Sequence, residues 1–163
     1  MFQLVMFKKY LIVFLISMVP LIELRGAIPY AVGFELPLVP SYIVAVIGNM
    51  LPVPFIFFFG RKVLEWGSKL RWVGGFFRWC LEKGEKARAK MESRAGVGLY
   101  VALLLFVGIP LPGTGAWTGT LAASLLNMDF KKSVIYVMLG VILAGVIMLA
   151  ASLGVFGAIS LIK

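Results

Sequence analysis

The chain has 163 residues, of which 61% are hydrophobic and 14% charged, and its mean hydropathy is +1.01. That composition describes one membrane domain, because no soluble core accounts for the apolar excess. Histidine is absent and Cys80 is the single cysteine, which excludes histidine metal sites, a histidine general base, internal disulfides and multi-cysteine metal sites.

The first apolar block, residues 10–34, is interrupted by Pro20-Leu21-Ile22-Glu23-Leu24-Arg25-Gly26-Ala27-Ile28-Pro29. A carboxylate and a guanidinium lie two residues apart, bracketed by prolines. Each proline removes a backbone donor and interrupts a helix. Charge inside a bilayer is costly and points to function. Broken backbone at membrane depth needs protein or a water-filled cavity around it. The piece therefore reads as a polar site at a helix break. The second block, residues 38–60, is apolar apart from Ser41 and Asn49. It is long enough to span, since about 20 residues cross the hydrocarbon core.

Residues 61–94 follow, with ten Lys/Arg against four Glu. The net charge of +9 is concentrated here, which fits a membrane surface better than nucleic acid. An excess of Lys/Arg places the segment in the cytoplasm. Trp66, Leu70, Val73 and Phe77 fall at helical spacing, with Lys69, Arg71 and Arg78 nearby. This predicts an amphipathic interfacial helix, interrupted at Gly74-Gly75, that recruits anionic lipid. Ordinary positive-inside topology accounts for the same residues. Residues 81–94 are mostly charged and read as a solvated helix.

The third apolar block, residues 95–128, is too long for one ordinary span and too short for two with a turn. Its middle reads Gly108-Ile109-Pro110-Leu111-Pro112-Gly113-Thr114-Gly115-Ala116-Trp117-Thr118-Gly119. Two prolines and several glycines end one helix and permit a tight turn. A re-entrant hairpin of two half-helices fits; a kinked, tilted single helix is the alternative. The fourth block, residues 133–162, is uncharged and rich in Gly and Ala.

The halves echo each other. Pro20-Leu21 before Arg25-Gly26-Ala27 matches Pro110-Leu111 before Thr114-Gly115-Ala116, and Gly48 matches Gly140. The expected fold is therefore an all-α integral membrane protein, residues 1–163 forming one domain. It would be an inverted repeat, each half a re-entrant hairpin (10–34, 95–128) followed by a spanning helix (38–60, 133–162). Paired broken segments in two halves point to a transporter binding site. Charge counting leaves two layouts open. The one favoured by the length of the third block puts Lys131 and Lys132 inside and both termini outside.

Three strings carry a resemblance: Glu23-Leu24-Arg25-Gly26-Ala27-Ile28-Pro29, Gly48-Asn49-Met50-Leu51-Pro52-Val53-Pro54, and Pro110-Leu111-Pro112-Gly113-Thr114-Gly115-Ala116-Trp117-Thr118-Gly119. The chain resembles the small multidrug export family, which is in turn similar to the DedA superfamily. The resemblance implies two opposed re-entrant hairpins, each followed by a spanning helix. It also implies movement of a lipid, for bacterial DedA members the polyprenyl-phosphate carrier. The chain departs from the DedA pattern at the second hairpin, where Gly108, Thr114 and Gly115 stand in place of arginines.

The candidate transport site comprises Glu23, Arg25, Gly26, Asn49, Gly113, Thr114, Gly115, Trp117 and Thr118. Arg25 offers a planar fork for phosphate or carboxylate oxygens. Glu23 would hold that fork, pin the hairpin by pairing with it, or exchange a proton. Half-helix N-termini at the hairpin tips would face an anion. Gly113 and Gly115 would admit close backbone approach or simply make the turn. Thr114 and Thr118 donate hydroxyl bonds, to substrate or to neighbouring carbonyls. Trp117 would stack on a ligand or sit at the interface. Asn49 would belong to a polar cavity or bridge helices. Gly140, Ala144, Gly145 and Ala151 are close-packing positions and candidates for a homodimer face.

The leading expectation is an inner-membrane, multi-pass transporter of an amphipathic anion, a phospholipid or polyprenyl phosphate, with proton coupling through Glu23. Its partners would be membrane lipids and that substrate. The rivals are an exporter of cationic compounds with Glu23 as the cation site, and a structural protein organising partners through its basic helix. Neither an enzymatic centre nor a cofactor is expected, since no metal cluster or activated nucleophile is visible.

Overall fold

The computed structural model describes residues 2–91 and 97–162. The end of the basic block (92–94) and the first residues of the third apolar block (95–96) lie outside the described residues. Eight helices make up the described chain, and it contains no strand: α1 Phe2–Met18, α2 Glu23–Gly33, α3 Leu38–Met50, α4 Val53–Gly67, α5 Gly74–Met91, α6 Val97–Gly108, α7 Ala116–Leu125 and α8 Phe130–Ile162. The stretches Leu38–Gly67 and Phe130–Ile159 are long and apolar enough to cross a membrane. Leu4, Phe7, Leu11 and Leu15 of α1, and Ile135, Val146 and Val155 of α8, are exposed. Apolar faces that large mark surfaces for lipid or for another protein.

The first block breaks where its prolines predict. Between α1 and α2, Leu21 and Glu23 take positive φ values of 70° and 52°. Side-chain-bearing residues enter that region at a cost of about 1–2 kcal/mol each. Pro29 lies inside α2, where it deprives the Arg25 carbonyl of its helical donor. α1 starts at Phe2, earlier than the predicted block, because Leu4 to Phe7 continue the apolar helix and Lys8 and Lys9 do not break it.

The second block departs from expectation in two ways. The helix breaks at Leu51-Pro52 into α3 and α4, since Pro52 and Pro54 supply no N–H to the ladder. α4 then continues past residue 60 to Gly67, inside the basic block. The amphipathic helix expected through Trp66 and Phe77 does not form. The chain turns over residues 68–73, and Gly74 begins α5 where an interruption was expected. Close packing explains the corner. A methyl on Gly67 would lie 2.8 Å from the Phe77 ring, and one on Gly74 would lie 2.6 Å from the Ser68 carbonyl oxygen.

Local geometry recurs between the halves. After α2, the Leu36 N–H donates to the Ala31 carbonyl (2.9 Å), with Glu35 at φ 55°. After α7, the Met128 N–H donates to the Ala123 carbonyl (3.0 Å), with Asn127 at φ 51°. Both are six-to-one helix-ending turns closed over a left-handed residue. Gly48 presses on α1, where a methyl would lie 2.7 Å from the Phe14 carbonyl and would strike the Ser17 hydroxyl. Gly140 presses on α6, where a methyl would lie 2.8 Å from the Leu104 carbonyl. Ala31, Glu35, Leu36 and Gly48 thus correspond to Ala123, Asn127, Met128 and Gly140 at one constant offset along the chain.

The halves also pack reciprocally. α2 lies on α8, with Gly33 against the Phe156 ring. α7 lies on α4, where the Ser124 hydroxyl donates to the Phe57 carbonyl (2.6 Å). α3 meets α8 where the Tyr42 hydroxyl donates to the Ile142 carbonyl (2.8 Å), and Gly145 sits under the Tyr42 ring. Gly140, Ala144 and Gly145 are close-packing positions, as their spacing suggests, and they pack inside the fold; Ala151 is exposed. The core joins both halves through Val13, Leu24, Ala27 and Ile28 with Val107, Ala116, Val137 and Val141.

The close crossings give a direct prediction. Gly48→Ala and Gly140→Ala each set a methyl against backbone, which cannot swing aside. Each should lower stability by about 1–3 kcal/mol. Gly154→Ala, where nothing lies within 4 Å, should be neutral or slightly stabilising, since alanine favours helix over glycine by about 1 kcal/mol. Thermal unfolding in detergent measures all three. Equal melting of Gly48→Ala and Gly154→Ala would show that α1 and α3 do not cross closely.

Candidate functional site

The N-terminus of α7 lacks a local cap. A helix start leaves four backbone N–H groups without helical partners. Gly115 stands at the cap position with φ 144° and no side chain to offer. The Thr114 hydroxyl is turned the other way, donating toward the Ile109 and Leu111 carbonyls (both 2.9 Å). The cap comes from the other hairpin. Glu23 accepts the Ala116 N–H through Oε2 (3.2 Å) and the Trp117 N–H through Oε1 (3.1 Å). Glu23 is only 3% exposed. Two charge-assisted bonds and the positive end of α7 hold its charge there.

Arg25 grips the same tip from two residues further along α2. Its Nη1 donates to the Thr114 carbonyl, and its Nη2 donates to the Thr114 hydroxyl (2.9 Å) and, more distantly, to the Ile109 carbonyl (3.4 Å). Its Nε is buried without a partner. Mutual pairing of Glu23 and Arg25, one of the roles weighed for them, thus gives way to a clamp. Each charge satisfies backbone of the second hairpin, because broken helices present more unmet N–H and C=O groups than a continuous helix does. The ion pairs among the described residues instead join Arg61 to Glu65 (3.0 Å) and to Glu85 (3.3 Å).

Beside the clamp lies a groove of about 830 Å³. Its walls are the turn from Met18 to Leu21, the α3–α4 break, the Phe55, Ile56, Phe59, Gly60 and Val63 stripe of α4, Phe77 of α5 and the start of α7. Those α4 residues share one helix face by their spacing. The hydrophilic lining is confined to Glu23, Thr114, Trp117 and Thr118. The Trp117 Nε1 is buried without a partner, and the Thr118 hydroxyl makes only a long bond to the Gly115 carbonyl (3.5 Å). The cavity is therefore apolar, with one carboxylate and a few weakly engaged donors at one end.

Glu23, Thr114, Trp117 and Thr118 meet at the groove. Arg25, Gly26, Asn49, Gly113 and Gly115 are not in its lining. Gly26 packs within the first hairpin against Ile22 and Ile16. Gly113 takes φ 81° in open space and serves the turn, whereas a methyl on Gly115 would run into the Glu23 carboxylate. Asn49 is fully buried with neither amide atom partnered. Sequence reasoning missed Phe55, Phe59 and Phe77. Along the apolar first half of α4, spacing cannot separate a groove-facing aromatic from a lipid-facing one, and Phe77 reaches the groove only because α5 turns back at the corner. Among the described residues no three His, Cys, Asp or Glu side chains gather to hold a metal.

The clamp and most of the groove fall within a stretch of known kind: residues 23–147 match the model of the "Putative small multi-drug export protein" family. The chain belongs to that family. The match opens on Glu23 and takes in both halves of the clamp, most of the groove, the first apolar stretch and the first part of the second, so the small multidrug export family and the apolar helices together make this a membrane protein. No curated protein and no solved structure matches the chain.

Proposed function

We propose that the protein exports lipophilic cations across the cell membrane, with the groove as binding site and Glu23 as the group that selects positive charge. The carrying observation is the lining: a large apolar cavity whose formal charge is a single carboxylate. A flat aromatic cation would lay its rings on Phe55, Phe59 and Trp117 and bring its charge to Glu23. A carboxylate in so apolar a cavity is poorly screened, so an arriving cation gains more from it than in water. The family description names drug export, which agrees with this use of the groove.

A second reading keeps the amphipathic anion, a phospholipid or polyprenyl phosphate, and the motif likeness to DedA proteins. Its foothold is the unpartnered Nε–H of Arg25. It ranks lower because the rest of that guanidinium is engaged by Thr114 and Ile109 and stands outside the groove lining. Liposome flux of a lipophilic phosphonium, and separately of a fluorescent lipid phosphate, distinguishes the two. Phosphonium flux that persists in Arg25→Lys supports the cation reading. Lipid-phosphate flux without phosphonium flux overturns it.

We further infer an inverted repeat of re-entrant hairpins, α1–α2 and α6–α7, followed by the spans α3–α4 and α8. α2 has 11 residues and α7 has 10. At about 1.5 Å per residue each covers roughly half of a hydrocarbon core about 30 Å thick. The constant offset of matched turns and crossings, and the reciprocal packing of α2 on α8 and α7 on α4, support the same reading. It places the basic segment and Lys131 on the cytoplasmic side of the inner membrane. Cysteines placed singly at Lys86 and Lys131 should both label from the cytoplasm only. Cys80 must first be replaced; burial raises its thiol pKa, but it remains a background site. Labelling of position 131 from outside would show that the third block crosses the membrane.

A further inference from the structure

The corner between α4 and α5 displays a surface that neither the groove nor the clamp uses. Trp72 is 97% exposed, so its indole touches almost nothing of the protein. Trp66, Phe76 and Trp79 around it are each more than half exposed. Lys69, Arg71 and Arg78 are exposed among them, and no acid stands between Glu65 and Glu82. Glu65 is already paired with Arg61. The patch differs from the lipid-facing side of α8, which is apolar and uncharged over the same exposed stretch. It also differs from the other side of α5, where Phe77 turns inward to Gly67 and the groove.

Interleaved indoles and cations suit one environment above others. Tryptophan settles at the headgroup level, with its ring in the acyl boundary and its N–H toward water. Guanidinium and ammonium groups beside it meet phosphate oxygens, and each basic residue near an anionic leaflet adds attraction. The corner packing holds the surface open: Phe77 on Gly67 and the Gly74 N–H donating to the Leu70 carbonyl (3.0 Å) turn α5 so that Phe76, Arg78 and Trp79 face outward. We propose that this corner is a binding surface for anionic phospholipid headgroups, built from Trp66, Trp72 and Trp79 with Lys69, Arg71 and Arg78. It is independent of what the groove carries.

The test uses the full chain in nanodiscs containing either brominated phosphatidylglycerol or brominated phosphatidylcholine at equal mole fraction. The difference in fluorescence quenching between the native protein and Trp72→Phe reports Trp72 alone. The anionic lipid should quench Trp72 more strongly. That preference should fall by up to about fivefold for each of Lys69→Gln, Arg71→Gln and Arg78→Gln, and should weaken at high salt. These side chains are exposed, so the variants should fold; unchanged thermal unfolding confirms it. Equal quenching by the two lipids overturns the proposal. Quenching by neither also overturns it, and would mark the corner as a surface for a soluble partner.

Discussion

Gly115→Ala should be the most damaging single methyl addition in the protein, abolishing transport and lowering stability by roughly 3–5 kcal/mol. Two causes add. At φ 144° the backbone lies where side-chain-bearing residues rarely go. The new methyl would also strike Glu23 Oε2 and lie 2.7 Å from Oε1. The carboxylate cannot retreat and still reach both the Ala116 and Trp117 N–H groups. Gly113→Ala is the control. Its φ of 81° carries strain, but nothing lies within 4 Å of the added carbon. It should cost only about 1–2 kcal/mol. Melting in detergent and phosphonium flux measure both variants. Similar losses in the two would mean that turn strain matters and the contact with Glu23 does not.

Glu23→Gln should lower phosphonium binding at least tenfold, because the amide keeps the shape and removes the charge; a loss of that size corresponds to about 1.4 kcal/mol. It should also weaken the fold. A carboxylate accepts from Ala116 and Trp117 at once, whereas glutamine has one acceptor oxygen and would aim its NH2 at a backbone N–H. The unsatisfied donor costs about 1–3 kcal/mol. The two effects separate by comparison with Thr114→Val, which loosens the Arg25 grip and leaves the carboxylate in place. Thr114→Val should reduce stability and retain most cation affinity. Binding of a fluorescent phosphonium to purified protein, read beside thermal unfolding, decides the matter. Native affinity in a folded Glu23→Gln protein would remove the carboxylate from substrate recognition.

Much of this protein was legible along the chain. The breaks at residues 19–22 and 109–115 follow from proline and glycine, which act on their own backbone whatever surrounds them. The membrane class follows from composition, and the apolar spans from run length. Glu23 stands out because an ionised group is rare in such surroundings. The echo between halves was visible at Pro20-Leu21 and Pro110-Leu111, which stand off the constant register that the later turns and crossings share. Glu35 and Asn127 differ in type and are alike only in left-handed backbone and in the turn each closes.

Tertiary structure alone decided what the charges do. Two residues apart in sequence, Glu23 and Arg25 read as a pair; in space each is directed to the second hairpin, some ninety residues on. The choice depends on which unmet N–H and C=O groups lie within reach, and spacing along one helix carries no record of that. The groove has the same origin. Phe55, Phe59 and Phe77 come from two helices whose angle is set by Gly67, Gly74 and the turn between them. Local periodicity governs which residues can share a face of one helix. Which of those faces encloses a cavity, and which meets lipid, is settled by packing between distant segments.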